Sequence, residues 1–355
     1  MLHMRPLGYL VLMLVAASLA CYKLESPDDV ANKNPWKVVP DYQSERAIRN
    51  TFATPFELFI ITDNEFARFD PSFKLIEKIK LNAERLIFGR PALNDNLFAR
   101  VTQQEDNQQV LEFYLTKAPG IVRRFDMEDL AGASRDIITV DHLARTVGAF
   151  NTEGTLFLVP TLNASRRHYT FFLIKLQLNQ TANDFVSATV FKRIDVAAIP
   201  VEDNNVTNIR YFDNYFFVTS KKGLFRISLN GEVQQVLQNW MIDVFKWNRD
   251  LYATGFDDAN FFFSNNGGLR WEKGGITSEL KHTVTVGDFI FSQEIPGRRF
   301  QIATANLSKV QDIVYNEDFT EDPTSYVNIV SYGGRYVVAI DKEIVYTQDI
   351  EPVDK

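Results

Sequence analysis

The sequence predicts an all-β fold, a single β-propeller most simply built of seven four-stranded blades, with six or eight as alternatives. Three observations lead there. The stretch Ile209–Leu237 alternates four short β-prone runs with three turn signals, Asp213-Asn214, Lys221-Lys222-Gly223 and Asn230-Gly231. Asn-Gly between apolar runs is the strongest short-range hairpin signal, because a type I′ turn needs positive φ at both central residues. Runs this short, joined this tightly, pair with their sequence neighbours and make a four-stranded antiparallel meander. Second, the turn-then-apolar run recurs, at Leu58–Thr62, Leu97–Val101, Leu156–Val159, Tyr215–Val218, Leu251–Thr254, Phe289–Ser292 and Tyr336–Ala339. The spacings of about 36 to 59 residues bracket the repeat of a propeller blade. Third, 29 Phe and 13 Tyr suit half-buried strand faces, and long helical periodicity is nearly absent. Met127–Ala133 is the one helical stretch expected after the N-terminus.

With 355 residues and 45% hydrophobic content, the chain is large enough for a substantial core. A net charge of -7 argues against a nucleic-acid partner, which needs a basic field. The final unit, Val327–Ile350, offers only three strands. Propellers protect their last edge by letting one terminus complete the other's blade, and either Trp36–Val39 or Arg49–Ala53 is placed to supply the missing strand. Polar insertions at Gln103–Gln109, Asn163–His168 and Asn179–Asp184 interrupt the regular spacing. Loops carried by a rigid scaffold are where binding concentrates, so the segment between Arg100 and Asn208 is the expected working surface.

The N-terminus divides into residues 1–20, 21–45 and 46–355. His3 and Arg5 precede an apolar run from Leu7 to Ala20, too short for a comfortable permanent span, which reads as an export signal peptide. Cys21 is the sole cysteine, so no intramolecular disulfide forms. Ala17-Ser18-Leu19-Ala20-Cys21 resembles the lipobox of bacterial lipoproteins, with Ala20 as the required small residue and Ser18 where that family usually has Leu or Val. The resemblance implies that Cys21 carries lipid and anchors the chain to the outer membrane, on its periplasmic or cell-surface face. Ser18-Leu19-Ala20 also fits ordinary signal cleavage, which would release a soluble secreted protein. Residues 21–45 are polar and contain Pro, as a tether would. The acidic, Lys-containing run after Cys21 is similar to surface-export signals of Bacteroidota lipoproteins. Residues 46–355 form the propeller domain.

Ser264-Asn265-Asn266-Gly267-Gly268-Leu269-Arg270-Trp271 resembles the Asp-box, or BNR repeat, of sialidase-like and sortilin-like propellers. Ser264, Gly268 and Trp271 match that pattern, and Asn266 stands where it has an acidic residue. The box implies a structural turn between a blade's third and fourth strands, closed by an Asx-type side chain, with the Trp packed into the blade.

Chemistry is sparse by comparison. A sialidase-like site would need an arginine triad, an acid and a Tyr–Glu pair; Arg90, Arg123, Arg124, Arg298 and Arg299 are available, and Gly89-Arg90-Pro91 only approaches the family's Arg-Ile-Pro element. Adjacent carboxylates such as Glu128-Asp129 and Asp257-Asp258 read as solvated loop charge. Asp312, Glu317, Asp318, Glu321 and Asp322 form an acidic cluster that is a candidate for Ca²⁺, without the spacing of a calcium loop. His142, His168 and His282 are isolated, giving neither a zinc site nor a Ser-His-Asp triad, and no Gly-rich phosphate loop appears, so no cofactor is expected. Asn163, Asn179, Asn205 and Asn306 open glycosylation triplets that an ordinary Asn content produces by chance. The expectation is a non-catalytic, lipid-anchored propeller, monomeric within a complex, that binds an envelope protein or a glycan. The alternative is an exported carbohydrate hydrolase or lyase working at the central mouth.

Overall fold

A computed structural model of the chain describes residues 37–81, 87–103, 109–118, 122–132, 136–140, 146–179, 184–201, 206–257, 260–274, 282–287, 289–293, 299–303, 310–314, 328–340 and 342–347. The fold is an all-β propeller. Each of the seven recurring runs falls in a separate antiparallel sheet. Six of these sheets are four-stranded blades rather than the seven expected, and the third in chain order is five-stranded. Its inner edge is shared by two short strands, Ile138–Val140 and Ala149–Phe150, which pair with opposite ends of Leu156–Asn163. The chain spends its extra residues on that divided edge and on a long hairpin, His168–Asn179 against Asp184–Pro200. The insertion read at Asn179–Asp184 is therefore the end of a hairpin, its residues 180–183 lying outside the described ones, and Asn163–His168 is a tight turn.

The innermost strands are Ile48–Ala53, Ile87–Leu93, Ala149–Phe150, Val206–Phe212, Met241–Trp247, His282–Val286 and Asn328–Tyr332, each against the next and the last against the first. Second and third strands are buried, as in Leu58–Thr62 and Glu65–Phe69, whereas the outer strands Leu75–Lys80 and Val233–Leu237 are mostly exposed. The core accordingly sits between neighbouring blades. Phe59, Phe66, Phe98 and Tyr114 fill the space between the first two, with Phe66, Phe98 and Tyr114 stacked in series at 5.2 and 4.4 Å. The same interface contains a fully buried ion pair, Arg100 Nε to Glu112 Oε2 at 2.9 Å. Arg100 also donates to the Tyr114 hydroxyl at 2.7 Å and to the carbonyl of Asp63, on the first blade, at 3.2 Å. Tyr114 donates in turn to Glu112 at 2.8 Å, and burial pushes its phenol well above the ordinary range. A buried pair of this kind fixes orientation more than it adds stability.

Turn chemistry differs from expectation at one point. The type I′ geometry expected at Asn230-Gly231 lies instead at Asp213-Asn214, φ 49° and 67°, and at Gly333-Gly334, φ 57° and 71°. At Asn230-Gly231 only the glycine has positive φ, and Ser228 accepts from the Gly231 N–H at 2.8 Å and donates its own N–H to Glu232 at 2.9 Å. That is a longer loop with one left-handed residue, which leaves room for Gly231 against Lys192 and Ile194 of the long hairpin. The expected helix is present as Met127–Ala131.

The ring closes as anticipated, by an N-terminal strand. Lys37–Val38 pairs with Glu343–Thr347 and completes the last blade, while the other candidate, Arg49–Ala53, lies within the inner strand of the first. The folded domain thus starts within the stretch read as tether: Val39, Tyr42 and Ser44 are buried, and Tyr42 donates to Glu65 at 2.8 Å. Tyr332 fastens the closing blade to the first, donating to the carbonyls of Phe69 at 2.9 Å and Phe56 at 3.2 Å. Its hydroxyl is pushed up to about 12 by burial, with Asp70 and Glu57 adding to the shift. A phenol raised in the folded state favours folding below its unfolded pKa, and that contribution is lost as pH rises from about 10 towards 12. Tyr332→Phe should cost about 1 kcal/mol in urea unfolding at neutral pH, and the variant should lose less stability than the parent between pH 10 and 12.

Candidate functional site

The inner strands of the first six sheets enclose a channel cavity of about 290 Å³. Its polar lining includes Asn50, Arg90, Asn208, Arg210, Asp243 and His282, and its apolar lining includes Phe52, Leu93, Phe150 and Val284. The polar positions follow from a device repeated in the sheets. Ile48-Arg49-Asn50, Val206-Thr207-Asn208 and Met241-Ile242-Asp243 open their inner strands, and each carries a register shift between its first and third residues. The extra residue bends the strand and turns the Asx side chain to bond its own backbone. Asn50, Asn208 and Asp243 accept from the next residue's N–H at 2.9, 2.9 and 2.8 Å. Each also reaches the following blade: Asn50 donates to the Pro91 carbonyl at 2.7 Å, Asn208 donates to Asp243 at 2.7 Å, and Asp243 accepts from the Thr283 N–H at 2.9 Å and its hydroxyl at 3.3 Å.

Asp243 is the centre of this arrangement. Its carboxylate is fully buried and additionally accepts from Arg210, Nε at 3.4 Å and Nη2 at 3.5 Å. Arg210 Nη2 donates also to the Thr283 carbonyl at 3.1 Å. The fourth, fifth and sixth blades therefore meet on one carboxylate. It is the single carboxylate among the described residues lining the cavity.

Of the residues singled out from sequence, Arg90 and His282 line the channel. Gly89-Arg90-Pro91 falls within a break in strand register between Phe88 and Ala92, and Arg90 bridges to Thr146 of the third unit. Arg298 lies outside the described residues; Arg123, Arg124 and Arg299 lie on strands away from the channel, Arg124 pairing with Glu112 at 3.2 Å, so the described arginines of that set do not converge. His168 sits 3.6 Å from Asp195 within a charged network of Asp136, Arg166 and Arg193 on the third sheet. Asn163 is buried, donating to Thr170 at 3.3 Å, so that glycosylation triplet serves its turn. Cys21, His142, Glu317, Asp318, Glu321 and Asp322 lie outside the described residues, and Asp312 is on the strand Val310–Val314. Among the described residues no helix is long and apolar enough to cross a membrane, and no His, Cys, Asp and Glu cluster has the geometry to hold a metal. The segment between Arg100 and Asn208 contributes Thr146, Gly148, Ala149 and Phe150 to the channel, with Asn208 at its end.

Asn50, Asn208, Arg210 and Asp243 were missed in the sequence. The signal is there, an apolar–x–Asx triplet whose Asx lies about eight residues before the recurring second-strand run. Asn and Asp are poor strand residues, so such a triplet reads as a turn unless the repeats are aligned.

The Ser264–Trp271 turn joins the third strand of the fifth blade, Phe261–Ser264, to the fourth, Glu272–Lys273. Ser264 donates to Asn266 at 2.9 Å, and the Gly268 and Arg270 N–H groups return to Ser264 and Asn266, both at 3.0 Å. Trp271 donates to the Gly268 carbonyl at 3.0 Å and meets Phe217 of the fourth blade edge-on. Gly268 has φ 76°, and a Cβ there would lie 2.4 Å from the Phe217 ring.

No protein family matches the sequence, and no curated protein does. Solved structures do resemble it. The AfRom2 CNH domain is 13% identical, aligning over 89% of this chain and 99% of its own at a TM-score of 0.52. The dihydro-haem d1 dehydrogenase NirN, in complex with DHE, is 11% identical over 88% of this chain and 66% of its own, at 0.54. PorZ, a surface component of the type-IX secretion system of Porphyromonas gingivalis, is 10% identical over 89% of this chain and 38% of its own, at 0.47. The first two show a shared propeller fold.

Asp243→Ala should destabilise the protein by about 3–5 kcal/mol, since it strands Arg210 and removes acceptors from three blades, and chemical unfolding checks this. Gly268→Ala should cost about 1–3 kcal/mol through ring displacement and backbone strain, measured the same way.

Proposed function

We propose that the chain is a lipid-anchored extracytoplasmic propeller that binds or organises an envelope protein or a glycan without transforming it. The observation that carries this reading is the state of Asp243. Glycoside hydrolysis by the usual route needs two carboxylates across the scissile bond, about 5 to 9.5 Å apart according to mechanism. The described channel lining offers one, and it is buried and committed to Asn208, Arg210, Val244 and Thr283. A carboxylate so engaged holds blades together and has no lone pair to spare for a proton relay. The channel instead presents fixed guanidinium and amide groups beside aromatic rings, the composition of a recognition site. Lipid on Cys21 would hold the propeller at the outer membrane, with the residues between Cys21 and the first pairing at Lys37 as the connecting segment.

Both parts are testable in cells. Wild-type protein should incorporate a labelled fatty acid and sediment with membranes, and Cys21→Ser should abolish the label and release the protein. Absence of label on the wild type sinks the anchor. Crosslinked pull-down from envelopes should recover a defined partner, and release of reducing sugar from envelope polysaccharide by the purified protein would favour the hydrolase.

A further inference from the structure

The channel wall differs in sign from the protein as a whole. The chain carries a net charge of -7, yet Arg90, Arg210 and His282 reach the cavity from three different sheets, and Asp243 is the one carboxylate among its described lining residues. The Asp243 charge is matched by Arg210, and its carboxylate is closed to solvent. Arg210 itself is held rigidly: Nε and Nη2 are engaged by Asp243, and Nη2 also by the Thr283 carbonyl. Its Nη1 donates to none of the described protein groups, and its side chain is one-third exposed. A guanidinium clamped along one edge and open along the other is preorganised to grip a planar or tetrahedral oxyanion. Low-dielectric walls focus such a field, so the site attracts anions despite the acidic exterior.

Resting on the binding reading above, we propose that the channel cavity binds a small oxyanion, the carboxylate or phosphate of a molecule of about monosaccharide size. Arg210 and Arg90 hold the charged group, and His282 adds a third nitrogen donor. Phe52 and Phe150, which also line the cavity from the first and third sheets, face the ligand's less polar part. The cavity of about 290 Å³ lies at the small end of ligand pockets, which favours a single sugar or a short acid over an oligosaccharide.

Calorimetric titration of the purified protein with glucuronate, inorganic phosphate and neutral glucose tests this. One or both anions should bind at millimolar concentration or below, weakening as salt rises, and glucose should not bind. Binding of glucuronate alone identifies a carboxylate ligand, and binding of phosphate alone a phosphorylated one. Arg90→Gln should weaken anion binding roughly ten-fold or more, while Lys221→Gln, on the surface, leaves it unchanged. Arg210→Gln also loosens Asp243, so Arg210→Lys accompanies it. The lysine variant keeps one charge without the fork and should fold with intermediate affinity, its circular dichroism melt confirming the fold. Failure of both anions to bind, equal affinity across the variants, or binding of glucose as tight as that of the anions overturns the proposal. A partner still captured from envelopes in that case leaves the scaffold reading intact.

Discussion

The carboxylate of Asp243 is the point on which the inner ring depends. A propeller is a set of twisted sheets with few backbone hydrogen bonds between blades, such as that from the Val147 N–H to the Arg90 carbonyl at 3.0 Å, so something other than the ladder must keep inner strands in register. Apolar burial supplies most of the cohesion but is non-directional. A buried anion is directional, because each missing donor leaves charge uncompensated in a low dielectric. Asp243 gathers Asn208 and Arg210 from the fourth blade, Val244 from its own and Thr283 from the sixth, and so sets all three at once. Asn50 does the same more weakly between the first and second, through neutral hydrogen bonds.

The one carboxylate among the described lining residues is occupied in holding blades together, while Arg210 keeps an outward edge and Arg90 and His282 line the same cavity. The region between the blades follows a similar rule. Arg100 and Glu112 are wholly buried between the first two blades and satisfied by each other, by Tyr114 and by the Asp63 carbonyl, and they lie in a different packing layer from the channel. Closure relies on a third device, aromatic and hydroxyl contacts, with the Arg335 guanidinium lying over the Phe73 and Tyr346 rings. Tyr332 bonds two carbonyls of the first blade while Phe73, in a left-handed conformation with φ 62°, stacks on Tyr346.

Much of this architecture was legible in the residue pattern because blades repeat. The apolar runs at Leu58, Leu97, Leu156, Tyr215, Leu251, Phe289 and Tyr336 each fell in a different sheet, since a buried second strand has to be apolar wherever it recurs. The Ser264–Trp271 segment was legible as a tight polar turn, because glycines with positive φ and a short polar side chain leave few ways to close a loop, while its individual hydrogen bonds were not. Other features were hidden for physical reasons. Tyr42, buried and bonded to Glu65, reads as tether in the sequence, although the closing strand Lys37–Val38 itself falls within the candidate Trp36–Val39. The divided edge of the third sheet depends on how two short segments share one neighbour, which no local pattern records. Asn50, Asn208 and Asp243 were masked by their own propensities, and the convergence of Arg90, Arg210 and His282 is a property of the closed ring alone.

The claim that one carboxylate both locks the blades and leaves the arginine poised is tested most directly by a double-mutant cycle on Asp243→Ala and Arg210→Ala, with stability measured by urea unfolding. If the two groups act as a desolvated pair within the ring, the double variant will be less destabilised than the sum of the singles by about 1–3 kcal/mol. Strict additivity, with Asp243→Ala costing no more than an ordinary surface change, would contradict the account.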